Sequence, residues 1–286
     1  MMMRNPIYER EMWIAAGNRR SAVSVTVFAA LLSAVAFLSM LFTFHEAAQT
    51  GELQYQSFLE IFRTLSWVEF AGICALIPAR TAAGISGERE RGTMDLVLTT
   101  PITPMDLSVG ILQSALSDAL EILLCSMPPF AAVLLYGGVR FPDLLLLMAG
   151  CLAAALFAGS LGLFFSACSA RTSTAVAVTY AVEVLLFFGP FLILFLSSSI
   201  RNGGTPDGFW TLLSPVSIFY AGLSAAAGSG TLLQNGVLSG SAQALRHLFL
   251  CGILFECAAA LCLTYCAARR TARETTGHRR ARPHFL

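Results

Sequence analysis

Gly87-Glu88-Arg89-Glu90-Arg91-Gly92-Thr93-Met94-Asp95, running on through Leu96-Val97-Leu98-Thr99-Thr100 to Pro101-Ile102-Thr103-Pro104, is a polar island between two long apolar stretches. Only 12% of the 286 residues are charged, yet four alternating charges stand here in a row. In hydrocarbon each would cost about 2.5–3.5 kcal/mol even on a lenient insertion scale. The island must therefore stand in water, and the apolar stretches beside it read as helices that cross a membrane.

Outward from the island the same rule applies. A hydrocarbon core of ~30 Å takes about 20 apolar helical residues. Six segments meet it, at 22–44, 64–85, 108–136, 144–167, 175–199 and 245–268. With 56% hydrophobic residues, the composition is that of a membrane protein rather than a soluble domain. The expected fold class is all-α, one polytopic membrane domain over 1–286 with six transmembrane helices. The first span is too long for a signal-peptide core, and no small-residue cleavage pattern follows at His45-Glu46-Ala47, so it reads as a retained anchor. Residues 209–226 are apolar but interrupted by Ser214, Pro215 and Ser217. They read as part of a broken segment, 200–243, that re-enters the membrane from the outer side before the last span.

Orientation follows from arginine. All 18 basic residues are Arg, and there is no Lys. With the N-terminus inside, fourteen of the 18 lie on cytoplasmic pieces, and only Arg63, Arg140, Arg201 and Arg246 lie outside. Both termini are then cytoplasmic, the C-terminal one as a basic tail over 269–286 that frays from the last span and faces lipid headgroups. The absence of Lys excludes a GxxxxGK[S/T] phosphate loop and Schiff-base chemistry. The net charge of +1 suggests no nucleic-acid partner.

The eight Cys form no CxxC pair and lie mostly in apolar runs, where they read as small packing residues. Cys262 and Cys266 share a helix face but lack nearby His or carboxylate partners, so no metal site is expected. No HExxH pair appears, and the four His sit at span edges or in the tail, against an intramembrane enzyme. Ala154, Ala158, Gly162, Ser166 and Ala170 recur at every fourth position, a ridge for close helix packing within one chain or between two.

Five acids fall inside spans: Glu69, Asp118, Glu121, Glu183 and Glu256. Two readings stay open for them. They line a cavity for a cationic or amphipathic substrate, with Asp118, Glu121, Glu183 and Glu256 as the pathway candidates, or they hydrogen-bond between helices as neutral acids. Asp118 and Glu121 share a helix face and stand near the inner interface if span three begins late.

The island carries a resemblance. Glu88-Arg89-Glu90-Arg91-Gly92-Thr93, followed by Met94-Asp95-Leu96-Val97-Leu98-Thr99-Thr100-Pro101, looks like the E-R-E-x-G-T motif and apolar T-P exit of the membrane subunit of ABC-2 type (type V) exporters. The opening Asn5-Pro6-Ile7-Tyr8-Glu9-Arg10-Glu11 is similar to the N-P-x-x-x-R-E start of one branch, in which a helix lies on the inner membrane surface, here 1–21. Where the family often has Gly-Lys at the start of span three, this chain has Gly110-Ile111.

The resemblance implies an ABC-2 exporter fold in a bacterial plasma membrane. It implies that 86–100 form a coupling helix, with Glu88, Arg89, Glu90, Arg91, Gly92 and Thr93 docking into a separate ATPase subunit that holds the ATP and Mg. This chain would carry no cofactor and no ATPase site of its own. It would pair with a second permease subunit, the same or different, and contact membrane lipids. An ion-coupled secondary transporter using the intramembrane carboxylates is the alternative, and it would leave the island unexplained.

Overall fold

Apolar runs of this length leave the backbone no choice but to satisfy its hydrogen bonds internally as helix. The computed structural model describes residues 8, 19–50, 55–94, 103–136, 139–200, 214–227 and 242–281, and among them there is no strand. Eight helices follow in order: α1 (Arg19–Thr50), α2 (Tyr55–Glu90), α3 (Pro104–Cys125), α4 (Met127–Leu135), α5 (Phe141–Cys168), α6 (Thr172–Ile200), α7 (Pro215–Ala227) and α8 (Ala242–Ala281). Six stretches are long and apolar enough to cross a membrane: Val23–Gln49, Gln56–Glu90, Pro104–Leu135, Phe141–Cys168, Thr172–Pro190 and Gln243–Arg273. The chain is a multi-pass membrane protein.

Three boundaries depart from those read in the sequence. The second helix extends through Ser86–Glu90, so the first charges of the island end a spanning helix instead of opening a separate one. The third span is two helices, α3 and α4, broken at Ser126. Pro128 and Pro129 cannot donate to the carbonyls of the preceding turn, so the ladder stops and restarts with both prolines in the first turn of α4. The last helix continues to Ala281, carrying Arg269, Arg270 and Arg273 as ordered helix where a frayed end was expected.

Packing centres on α5, the most buried of the spans. Its ridge of Ala154, Ala158, Gly162 and Ser166 meets α2 within the same chain, which resolves the choice that the spacing left open. A Cβ added to Gly162 would collide with Thr81 Oγ1 and lie 2.8 Å from the Pro78 carbonyl and 3.1 Å from the Ala82 nitrogen. Ser166 Oγ accepts from the backbone nitrogens of Ile85 and Ser86 at 3.0 and 2.9 Å. Only small side chains permit such an approach.

Helix α7 is too short to span and is buried along nearly its whole length. Phe219 sits between Trp67 and Phe70 of α2, with ring centroids 5.3 and 4.4 Å away. Ser214, just before the helix, donates to the Phe187 carbonyl of α6 at 2.6 Å. Pro215 thus starts a helix where the sequence suggested an interruption. The flanking parts of the expected re-entrant segment, 201–213 and 228–241, lie outside the described residues, as do 1–7 and 9–18 of the expected surface helix, 95–100 of the expected coupling helix, and 282–286. Tyr8 is described, its hydroxyl 3.1 Å from Ser117 Oγ on α3. All eight cysteines are free.

Candidate functional site

Three contacts fix one level across the bundle. Arg80 of α2 donates to Ser24 Oγ of α1 at 3.2 Å and forms an ion pair with Asp118 of α3. Beside it, Thr81 abuts Gly162 of α5. Ser24 stands near the start of the apolar run of α1, read at 22–44 just after Arg19 and Arg20. From there α2 continues to Glu90, about 15 Å at 1.5 Å per residue, and α3 starts about 21 Å ahead of Asp118. The island end therefore projects well past this level. It has a core of its own, built from Ile85, Leu107, Ile111, Leu112, Leu163, Ala167 and Ala267, separate from the main cluster of the bundle.

On this projection the island is folded back onto its own chain. Arg89 donates to the Ala167 carbonyl at 3.3 Å and also to the Ser169 carbonyl. These groups lie at the C-terminus of α5, where carbonyls lack helical donors and the dipole favours a cation. Glu90 does the converse at the N-terminus of α6. Its Oε2 accepts from the Thr172 backbone nitrogen at 3.0 Å and from Thr172 Oγ1 at 2.5 Å. One Arg and one Glu, adjacent in sequence, thus clasp both sides of the loop between α5 and α6.

The turn beyond the clasp is equally determined. Gly92 has φ 70°, the left-handed conformation that Gly adopts without a Cβ penalty. Thr93 donates through its nitrogen and Oγ1 to the Glu88 carbonyl, at 3.0 and 3.1 Å, and through Oγ1 to the Glu88 carboxylate. Arg91 is exposed. On the far side of the island, Thr103 and Asp106 close a reciprocal capping box at the start of α3. Asp106 N donates to Thr103 Oγ1 at 3.1 Å, Thr103 N donates to Asp106 Oδ2 at 3.2 Å, and Pro104 occupies the first turn. That box was visible in the Thr-x-x-Asp spacing. The clasp had no such signal, because its partners lie about 80 residues apart.

The intramembrane acids separate into kinds. Asp118 is paired with Arg80 about 21 Å into α3, and the third span begins at Pro104 rather than late. Glu121 is exposed on the same helix. Glu69 accepts from Ser126 Oγ, the hydroxyl at the break between α3 and α4, so the proline-made break meets a buried acid. Glu183 of α6 and Glu256 of α8 are 4% and 3% exposed. Both carboxylate oxygens of Glu183 are buried without a hydrogen-bond partner among the described residues. Glu183 and Glu256 come close enough to Cys74 of α2 to act on it electrostatically. No group of His, Cys, Asp and Glu that could hold a metal ion occurs among the described residues.

A family model described as ABC-2 family transporter protein matches residues 7–266. No curated protein matches the chain significantly.

Proposed function

The chain belongs to the ABC-2 transporter family, and we propose that it is the membrane-spanning permease subunit of an ATP-driven exporter in a bacterial plasma membrane. In this reading the island end faces the cytoplasm, and a separate ATPase subunit docks on the turn around Arg91–Thr93 and the residues after it. ATP and Mg are held by that subunit. A second permease, the same or different, completes the passage, and substrate moves outward when ATP binding draws the two halves together.

The clasp is the observation that carries the proposal. A surface loop that served only to hold topology would need no contact with the next loop. Here Arg89 and Glu90 tie the end of α2 to the end of α5 and the start of α6. A force on the turn is thereby delivered to three helices at once. The small-residue seam between α2 and α5 keeps them from sliding. Membership of an ABC family favours this reading over secondary transport, in which the projection would have no role.

Co-purification in mild detergent tests it. Wild type is expected to retain the ATPase encoded beside it, and Arg91→Glu, which reverses an exposed charge outside the clasp, is expected to release most of it. Retention unchanged by Arg91→Glu and by Glu88→Arg would overturn the docking site.

A further inference from the structure

We propose that the hollow between α5 and α8 at the island end binds the phosphate-bearing headgroup of an anionic phospholipid. The hollow measures about 510 Å³ and is lined by Phe164, Cys266, Arg269, Arg270 and Arg273. Three arginines thus line the hollow. Arg269 and Arg273 are one turn apart on α8, and Arg270 and Arg273 three residues apart, so all three project toward one side.

Depth selects the ligand. The apolar run of α5, read at 144–167, ends three residues past Phe164, about 5 Å. The headgroup layer extends roughly 5–7 Å beyond the hydrocarbon on each side. The apolar run of α8, read at 245–268, ends one residue before Arg269. The hollow therefore opens at the depth of lipid phosphates. The Arg269 guanidinium lies 4.8 Å from the centroid of the Tyr265 ring, an aromatic at the interface that holds the cation in place. Guanidinium forks match phosphate oxygens two at a time, while the Phe164 ring offers an apolar wall to the first carbons of the lipid.

The inference rests on the proposed orientation in one respect: anionic lipid is concentrated in the cytoplasmic leaflet, so the hollow is supplied with its ligand only if the island end faces that side. A reporter fused to the C-terminus reads orientation separately. Binding itself is tested on the full-length chain in detergent by native mass spectrometry, titrating phosphatidylglycerol against phosphatidylcholine.

Wild type is expected to bind phosphatidylglycerol more tightly by on the order of tenfold. The triple variant Arg269→Gln/Arg270→Gln/Arg273→Gln is expected to lose that preference. The corresponding triple Lys variant, which keeps the charges, is expected to retain part of it. Equal affinity for the two lipids in wild type overturns the inference, as does a preference that survives the Gln variant. Displacement of the lipid by inorganic phosphate at matched ionic strength would assign the hollow to free anions instead. Loss of the ATPase from the Gln variant with lipid preference unchanged would make it a protein-docking surface.

Discussion

The two ends of this molecule's charge problem are solved in opposite ways. At the island end, Arg80, Arg89, Glu90 and Asp118 are each held by a group on a neighbouring helix or loop. In the middle of the bundle, Glu183 is buried to 4% exposure with both oxygens unpartnered among the described residues. The first arrangement makes a stiff unit out of helix ends that would otherwise fray. The second keeps a costly group in a place where stability gains nothing from it. Variants at the island end should therefore change folding and coupling together. Variants in the middle should change transport with little effect on the fold.

The largest effect is expected where the stiff unit is closest packed. Gly162→Ala places a methyl against Thr81 and two backbone atoms of α2, so the helices must separate. A loss of about 3 kcal/mol is expected, read as a lowered midpoint of unfolding in detergent. Gly189→Ala is the control on α6: its added carbon would meet nothing nearer than Leu185 Cδ1 at 3.9 Å, and its midpoint should not fall. If both glycines tolerate Ala equally, the seam is not what stiffens the island end.

Next comes the ion pair. Arg80→Ala leaves Asp118, whose side chain is 10% exposed, without its cation. Removing one partner of a fully buried pair costs about 3–5 kcal/mol, and the 30% exposure of the Arg80 side chain lowers the expectation to about 2 kcal/mol. Arg80→Ala/Asp118→Asn should recover part of the loss, because the stranded charge is removed with its partner. A double variant no more stable than the single one would show that Asp118 was never dependent on Arg80.

A smaller stability change should carry a larger functional one at the clasp. Thr172→Val removes the hydroxyl that donates to Glu90 and keeps the backbone donor. Only a small loss of stability is expected, because the bond is exposed to water. The ATPase should still co-purify, since the island turn is untouched, while ATP turnover in the assembled complex becomes less responsive to the permease. Release of the ATPase by this substitution would mean that the loop between α5 and α6 is itself part of the docking surface.

The sequence was most legible where one dimension suffices. Twenty apolar residues in a row specify a span wherever they occur, so the six spans and the class of fold could be read directly. Ends were less legible. The hydrocarbon rule locates where a helix enters lipid but not where it stops, and α2 and α8 both run on well past that point as part of the projection. Least legible were the partners of the charges. Arg89 with Ala167, Glu90 with Thr172, and Glu69 with Ser126 join positions far apart in sequence, and each depends on the vertical register of two helices. The motif singled out the island as a candidate site but was silent on its attachment to the second loop.

The sharpest form of the comparison is Glu183→Gln, where the expected change in stability is smallest. The substitution keeps the shape of the side chain and replaces a carboxyl group whose two oxygens have no hydrogen-bond partner among the described residues. If the carboxyl supported the fold, stability would fall. With nothing bound to it, the change should stay within about 0.5 kcal/mol. The proposed cycle needs a passage through which cargo moves, and Glu183 is expected to line it, since an acid buried without a partner adds nothing to the scaffold. ATP turnover by the complex reconstituted in liposomes should therefore fall while the unfolding midpoint holds. A loss of stability of more than about 1 kcal/mol would reveal a structural partner for Glu183. Turnover and stability both unchanged would remove it from the pathway and leave Glu256 of α8 as the acid to test.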